Sequence, residues 1–221
     1  MVSDTLANVA RAAHDVGLAA WLGGSMYGKF ALNPAVKLIP DKPVRGSVTN
    51  AAWNGYNLIN GVGLGAAAVG WSAARFTEAH PDKLSPREQA VSVTKDVLMG
   101  TAVLTGLLNG VQAARLAKQA PGGAVPIESG TVPAPETPPA AAKIQRSLGV
   151  LGNLNILSGV ALIATNGVLA QIDHSRPPLK RAIARRNSPK GRGGSRRSLV
   201  DLAGITLGVA AATDQVRRLK S

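Results

Sequence analysis

Cysteine is absent from the 221-residue chain. That excludes disulfides, thiolate nucleophiles, iron–sulfur clusters and Cys-type zinc sites, and it leaves the redox compartment open. Aromatic residues are nearly as scarce. The seven present (Trp21, Tyr27, Phe30, Trp53, Tyr56, Trp71 and Phe76) all lie between residues 21 and 76. A soluble core of this length draws much of its buried volume from aromatics and branched aliphatics. Here the apolar residues are mainly Ala, Gly, Val and Leu, and helices rich in small residues pack closely in lipid, where the hydrophobic effect no longer drives them together. No Gly-rich phosphate loop, nucleophile–base set or carboxylate pair is visible, so no enzyme is expected. Met1 to Asp15 lacks the positive region, apolar stretch and cleavage site of a secretory signal, so no cleaved signal peptide is expected.

Charge is missing over long stretches. Between Arg45 and Arg75 lie 29 uncharged residues, between Arg146 and Asp173 lie 26, and between Asp96 and Arg115 lie 18. About 20 residues cross a bilayer as a helix. A first stretch, Val16 to Val36, is broken only by Lys29, whose stem can snorkel to the headgroups. The expected fold is an all-α membrane protein: a bundle of four transmembrane helices near 12–33, 52–74, 92–115 and 148–172, within a domain spanning 1–173. The Pro- and Ala-rich loop 116–146 cannot be helical through its middle; it either lies extended over the outer face or serves as a disordered spacer.

The positive charge is concentrated in the tail. Of the net +13, residues 174–221 carry +10. Lys/Arg clusters stay cytoplasmic, so both termini are expected inside and the loops around 34–50 and 116–146 outside. Residues 174–198 read as a basic disordered linker. Residues 199–221 read as an amphipathic helix, capped by Ser198 and too short in its apolar centre to span. Lys180, Arg181, Arg185, Arg186, Arg196 and Arg197 are candidates for anionic lipid headgroups, and they equally serve as a topology anchor. Nucleic acid is the least favoured partner, because the tail has no aromatic residue for base stacking.

Polar groups inside such helices are the functional candidates. They are His14, Asp15, Asn54, Asn57, Asn60, Asn109, Asn155 and Ser158. Asn54, Asn57 and Asn60 repeat at intervals of three. One reading is helix–helix glue; the other is a polar pathway through the bundle. Gly24/Gly28, Gly61/Gly65 and Gly106/Gly110 are small-xxx-small pairs suited to close packing or to assembly as a homo-oligomer. Asn57–Leu64 echoes Asn155–Leu162, as a two-helix duplication would. The three histidines, His14, His80 and His174, fall at one predicted end, but without HxxxH spacing, and no metal or cofactor is assigned.

Ala12-Ala-His-Asp-Val-Gly-Leu-Ala-Ala-Trp-Leu-Gly-Gly-Ser-Met26, with Gly130-Thr-Val-Pro133 and Thr137-Pro-Pro-Ala-Ala-Ala-Lys-Ile-Gln-Arg146, resembles a family of uncharacterised actinobacterial multi-pass membrane proteins. The resemblance covers roughly residues 10–176 and implies a cell-membrane location without an activity. More distantly, His14, Trp21, Gly23 and Gly24 are similar to the first-helix pattern of copper-resistance-D-type membrane domains, which carry more intramembrane His or Met. The function expected is a structural or interaction component of the cell membrane. The alternatives are a small-solute carrier or channel with an Asn-lined interior, and a haem or metal protein.

Overall fold

The structure, a computed structural model, describes residues 2–120 and 124–174, and residues 1–172 form one compact unit. The basic linker and amphipathic helix expected beyond residue 174, with the headgroup candidates from Lys180 to Arg197, lie outside the described residues.

Four long helices dominate. They are α1 (Val2–Tyr27), α2 (Lys42–Phe76), α3 (Pro86–Ala117) and α4 (Pro139–His174). A short antiparallel hairpin, β1 (Ile127–Ser129) and β2 (Val132–Pro133), stands between α3 and α4. Of the four helices, α3 and α4 are long and apolar enough to cross a membrane, by length and composition.

The helices start earlier than the uncharged runs do, and local chemistry explains why. The Asp41 carboxylate accepts from the Val44 amide at 3.3 Å, with Pro43 in the first turn of α2. Ser85 and Glu88 form a reciprocal capping box ahead of α3, with Pro86 at the first helical position. These caps satisfy amides that would otherwise be orphaned, so charged residues enter the first turns without ending the helices.

Beyond Tyr27 the first helix continues through a π turn, Gly28–Leu32, and two short turns to Leu38. Lys29 sits in that wide turn. Its ammonium donates to the Asn153 side chain of α4 instead of reaching away from the protein as a snorkelling lysine would. The wider turn shifts the direction in which side chains leave the helix.

Contact between α1 and α2 depends on missing side chains. A Cβ on Gly63 would stand 2.8 Å from the Gly17 carbonyl oxygen, and one on Gly17 would collide with the Gly63 carbonyl. One heptad along, a Cβ on Gly70 would meet the Ala10 carbonyl at 2.5 Å and His14 Cβ at 2.8 Å. Leu18, Trp21, Leu22, Ala67, Trp71, Met99, Ala102, Ile156 and Leu162 fill the core between the helices.

The segment between α3 and α4 packs onto the start of α2. Gly46 leaves room for the Val125 carbonyl. Arg45 donates to the carbonyls of Ile39 (2.6 Å) and Glu128 (3.2 Å) and pairs with the Glu128 carboxylate at 3.3 Å. Thr137 Oγ1 donates to the Pro126 carbonyl at 2.6 Å and accepts from the Ala134 amide at 2.8 Å, closing the loop just before Pro139 opens α4.

Candidate functional site

Polar side chains gather where α2 passes into α3. They come from all four helices: Arg11, His14 and Asp15 on α1; Trp71 and Arg75 on α2; Ser92, Lys95 and Asp96 on α3; Asn166 on α4. Gly70 makes the site possible, since any side chain there would occupy the space of His14.

His14 is buried. Its Nδ1 lies 2.5 Å from the Ala67 carbonyl oxygen of α2. A carbonyl only accepts, so Nδ1 carries the proton, and in the neutral ring Nε2 is left as an acceptor. Asn166 Nδ2 stands 3.4 Å from that Nε2 and 3.4 Å from the Asp15 carboxylate, so one amide serves two acceptors on α1. The imidazole thus links α1, α2 and α4.

Trp71 is the second hub. Its Nε1 donates to Asp96 Oδ1 at 2.8 Å, and Asp96 Oδ2 pairs with Arg75 at 3.1 Å. Arg75 also donates to the Ala79 carbonyl at 2.5 Å, which fastens the end of α2 to the following turn. The Lys95 ammonium lies 3.8 Å from the centroid of the Trp71 ring, within cation–π range, with Lys95 only 3% exposed. At the rim, the Arg11 guanidinium forms a two-pronged ion pair with the Glu78 carboxylate.

A second polar layer lies further along α3 and α4. Asn155 Nδ2 donates to Thr105 Oγ1 at 2.9 Å and to the Ala102 carbonyl at 3.2 Å, and Ser158 Oγ donates back to the Asn155 carbonyl at 2.9 Å.

Of the residues singled out from sequence, His14 and Asp15 join the first layer, and Asn155 and Ser158 the second. The Asn stripe does not line the interior. Asn54 and Asn57 are exposed, and only Asn60 turns partly inward. The reason is rotation: at roughly 100° per residue, positions six apart on a helix face about 120° away from each other. Asn109 is half-buried. Gly24 receives the Tyr56 ring and Gly28 the Trp53 ring, and a Cβ on Gly106 would meet the Leu64 side chain at 2.7 Å, as packing glycines do. Among the described residues nothing lies within 4 Å of a Cβ placed on Gly61 or Gly110, so these two pack no described helix; Gly65 is half-buried. The echo between α2 and α4 is not matched in placement either, since Asn57 is exposed while Asn155 is buried.

His80 turns to its own neighbour, with Nδ1 3.4 Å from the Asp82 carboxylate. Among the described residues no three His, Asp or Glu side chains come together as a metal-binding group. Sequence reasoning passed over Lys95, Asp96, Trp71 and Arg75. A signal for Lys95 exists: Ser92, Lys95, Met99 and Ala102 follow the 3–4–3 spacing of one buried helix face.

Comparison of the chain with models of protein families, with curated proteins and with solved structures gives no match.

Proposed function

We propose that the chain is an integral protein of the cell membrane, that all four long helices cross the bilayer with both termini cytoplasmic, and that it acts as a structural or interaction component without enzymatic activity. The observation that carries this is the distribution of polarity. His14, Ser92, Lys95, Thr105, Asn155 and Ser158 are buried, while Val16, Leu58, Val97, Leu107, Leu157 and Ile163 are exposed. Apolar surface of this kind around a polar interior suits lipid as solvent and is costly in water. The close α1–α2 seam built on Gly17, Gly63 and Gly70 fits association without a hydrophobic driving force. The orientation rests on the Lys/Arg excess of the tail. The resemblance to actinobacterial multi-pass membrane proteins supports the same reading. Anionic headgroups are the partners proposed for the tail, and a second copy for the open face of α2 around Asn54, Gly55, Leu58 and Gly61.

Because the chain has no cysteine, single cysteines report topology cleanly. Pro135→Cys, in the loop before α4, is expected to react with a membrane-impermeant maleimide on intact cells. Lys83→Cys, between α2 and α3, is expected to react only after lysis. The reverse pattern, or recovery of the protein in the soluble fraction, would refute the topology or the embedding respectively. Loss of a homo-oligomer in mild detergent with Gly61→Leu, but not with His14→Ala, is the result expected for the assembly role.

A further inference from the structure

We propose that the surface between α1 and α4 holds one anionic phospholipid, its phosphodiester gripped by Lys29, Asn153 and Arg146 and its acyl chains laid along α4. The inference rests on the membrane embedding proposed above. Lys29 and Asn153 meet across the two helices, the ammonium donating to the side-chain carbonyl. An ammonium has three donors, so two are left, and the Asn153 amide group adds its own N–H donors. None of these finds an acceptor among the described residues. Phe30 stands beside the ammonium, its ring centroid 5.8 Å away and its side chain exposed.

Charge at this end of the helices does not cancel. Residues 16–72 and 97–172 carry eight Lys/Arg against three Asp/Glu. All three acids are engaged: Glu128 pairs with Arg45, Glu136 pairs with Lys42, and Asp41 caps α2. Among the described residues neither Lys29 nor Arg146 enters an ion pair. Arg146 is exposed and lies seven residues before Asn153. Seven residues make two helical turns, about 10 Å, so both side chains leave the same face of α4. A headgroup phosphate thus meets the arginine from one side and the Lys29–Asn153 pair from the other, each as a charge-assisted or amide donor.

The apolar surroundings select a lipid as the source of that phosphate. Val150 and Leu157 share the face of Arg146 and Asn153 and are 60% and 65% exposed. A small soluble anion would answer the charge and leave this surface as it is. A phospholipid answers both, since its headgroup carries the negative charge and its chains cover the leucine and valine. In hydrocarbon the alternative is a lysine paired only with a neutral amide, which is costly.

The test reconstitutes the full-length protein into phosphatidylcholine vesicles with a minor share of phosphatidylglycerol, one lipid or the other bearing a photoactivatable diazirine on its acyl chain. The vesicles are floated in a density gradient, and labelled peptides are mapped by mass spectrometry, which separates α4 from the basic tail. Per lipid molecule, phosphatidylglycerol should label α4 around Asn153 at least about fivefold more than phosphatidylcholine, a ratio equivalent to about 1 kcal/mol. Lys29→Met and Arg146→Gln should each bring the ratio close to one, and Lys29→Arg should preserve it. Protein that does not float with the vesicles overturns the embedding on which the site rests. Equal labelling of a floated wild type by the two lipids overturns the lipid site alone. So does a preference that survives Lys29→Met; if that variant does not insert, survival in Arg146→Gln decides the matter. The chain has no cysteine, so Asn153→Cys tests the other occupant: a disulfide-linked dimer in the vesicles would seat a second copy on this face and overturn the proposal.

Discussion

Gly17 and Gly63 face each other across the α1–α2 seam so closely that a methyl group on either would run into the carbonyl of the other. The obstacle is backbone and cannot rotate aside. Gly17→Ala and Gly63→Ala are each expected to destabilise the fold by about 1–3 kcal/mol, the usual cost of forcing a methyl into a packed interface. Gly61→Ala is the control. Among the described residues nothing lies within 4 Å of its added Cβ, and alanine favours a helix over glycine. Denaturation in mixed detergent micelles, followed by far-UV circular dichroism, should rank Gly63→Ala well below wild type and Gly61→Ala level with it or above.

Asn155 ties α4 to α3 through Thr105 and the Ala102 carbonyl. An interhelical hydrogen bond of this kind is worth about 0.5–2 kcal/mol. Asn155→Leu should therefore destabilise modestly, and Thr105→Val should add little on top of it, because the first change has already removed their shared bond. A double-mutant cycle measures that coupling. Full additivity of the two changes would show that the side chains do not act as a pair.

How much of this was legible in the sequence depends on which signal is followed. Absence of charge locates all four helices, but it cuts them short. The starts at Lys42, Pro86 and Pro139 are set by Asp41, by the Ser85/Glu88 box and by the Pro138–Pro139 pair, features that lie in charged or Pro-rich sequence. Polarity within the expected helices singles out His14 and Asn155, both of which are buried. It overreaches at Asn54 and Asn57, because a spacing of three drifts around a helix and does not hold one face. Small-residue spacing finds Gly24, Gly28 and Gly106. It misses Gly17, Gly63 and Gly70, whose small partners at four-residue spacing are the alanines Ala13, Ala67 and Ala66 and not a second glycine. The Lys95–Trp71 contact joins residues 24 apart in sequence from two different helices, and only the turn between α2 and α3 brings them together.

Glu136 accepts from Lys42 at 2.9 Å across the base of the hairpin segment. The hydrogen bond from Lys42 chiefly, with one from its own backbone amide, holds the Glu136 carboxyl below its ordinary range. The folded-state pKa thus lies below the unfolded one. Whatever the pair contributes is present above the unfolded value and is lost as pH falls through the folded value. Because Glu136 is exposed, salt should weaken the effect. A carboxyl-detected NMR titration should give a midpoint below that of an ordinary glutamate, and Lys42→Met should move it back up. An unchanged midpoint in Lys42→Met would remove Lys42 as the cause.

Arg45 decides whether the hairpin stays on α2. Its side chain, buried, reaches the Ile39 carbonyl before the helix and both the carbonyl and the carboxylate of Glu128 on β1. Three acceptors in two directions require the planar fork of arginine; a lysine keeps the charge as a point and cannot meet them together. Arg45→Lys should therefore behave closer to Arg45→Met than to wild type. In both variants the amides of residues 125–134 are expected to exchange with solvent at least about tenfold faster, corresponding to roughly 1.4 kcal/mol less protection. The α1–α2 seam, which does not involve Arg45, should keep its protection. Hydrogen–deuterium exchange resolved by peptide separates the two regions. Equal acceleration in both would mean that Arg45 supports the whole fold, and no acceleration at 125–134 would mean that Gly46–Val125 contact and the Thr137 bonds hold the hairpin without it.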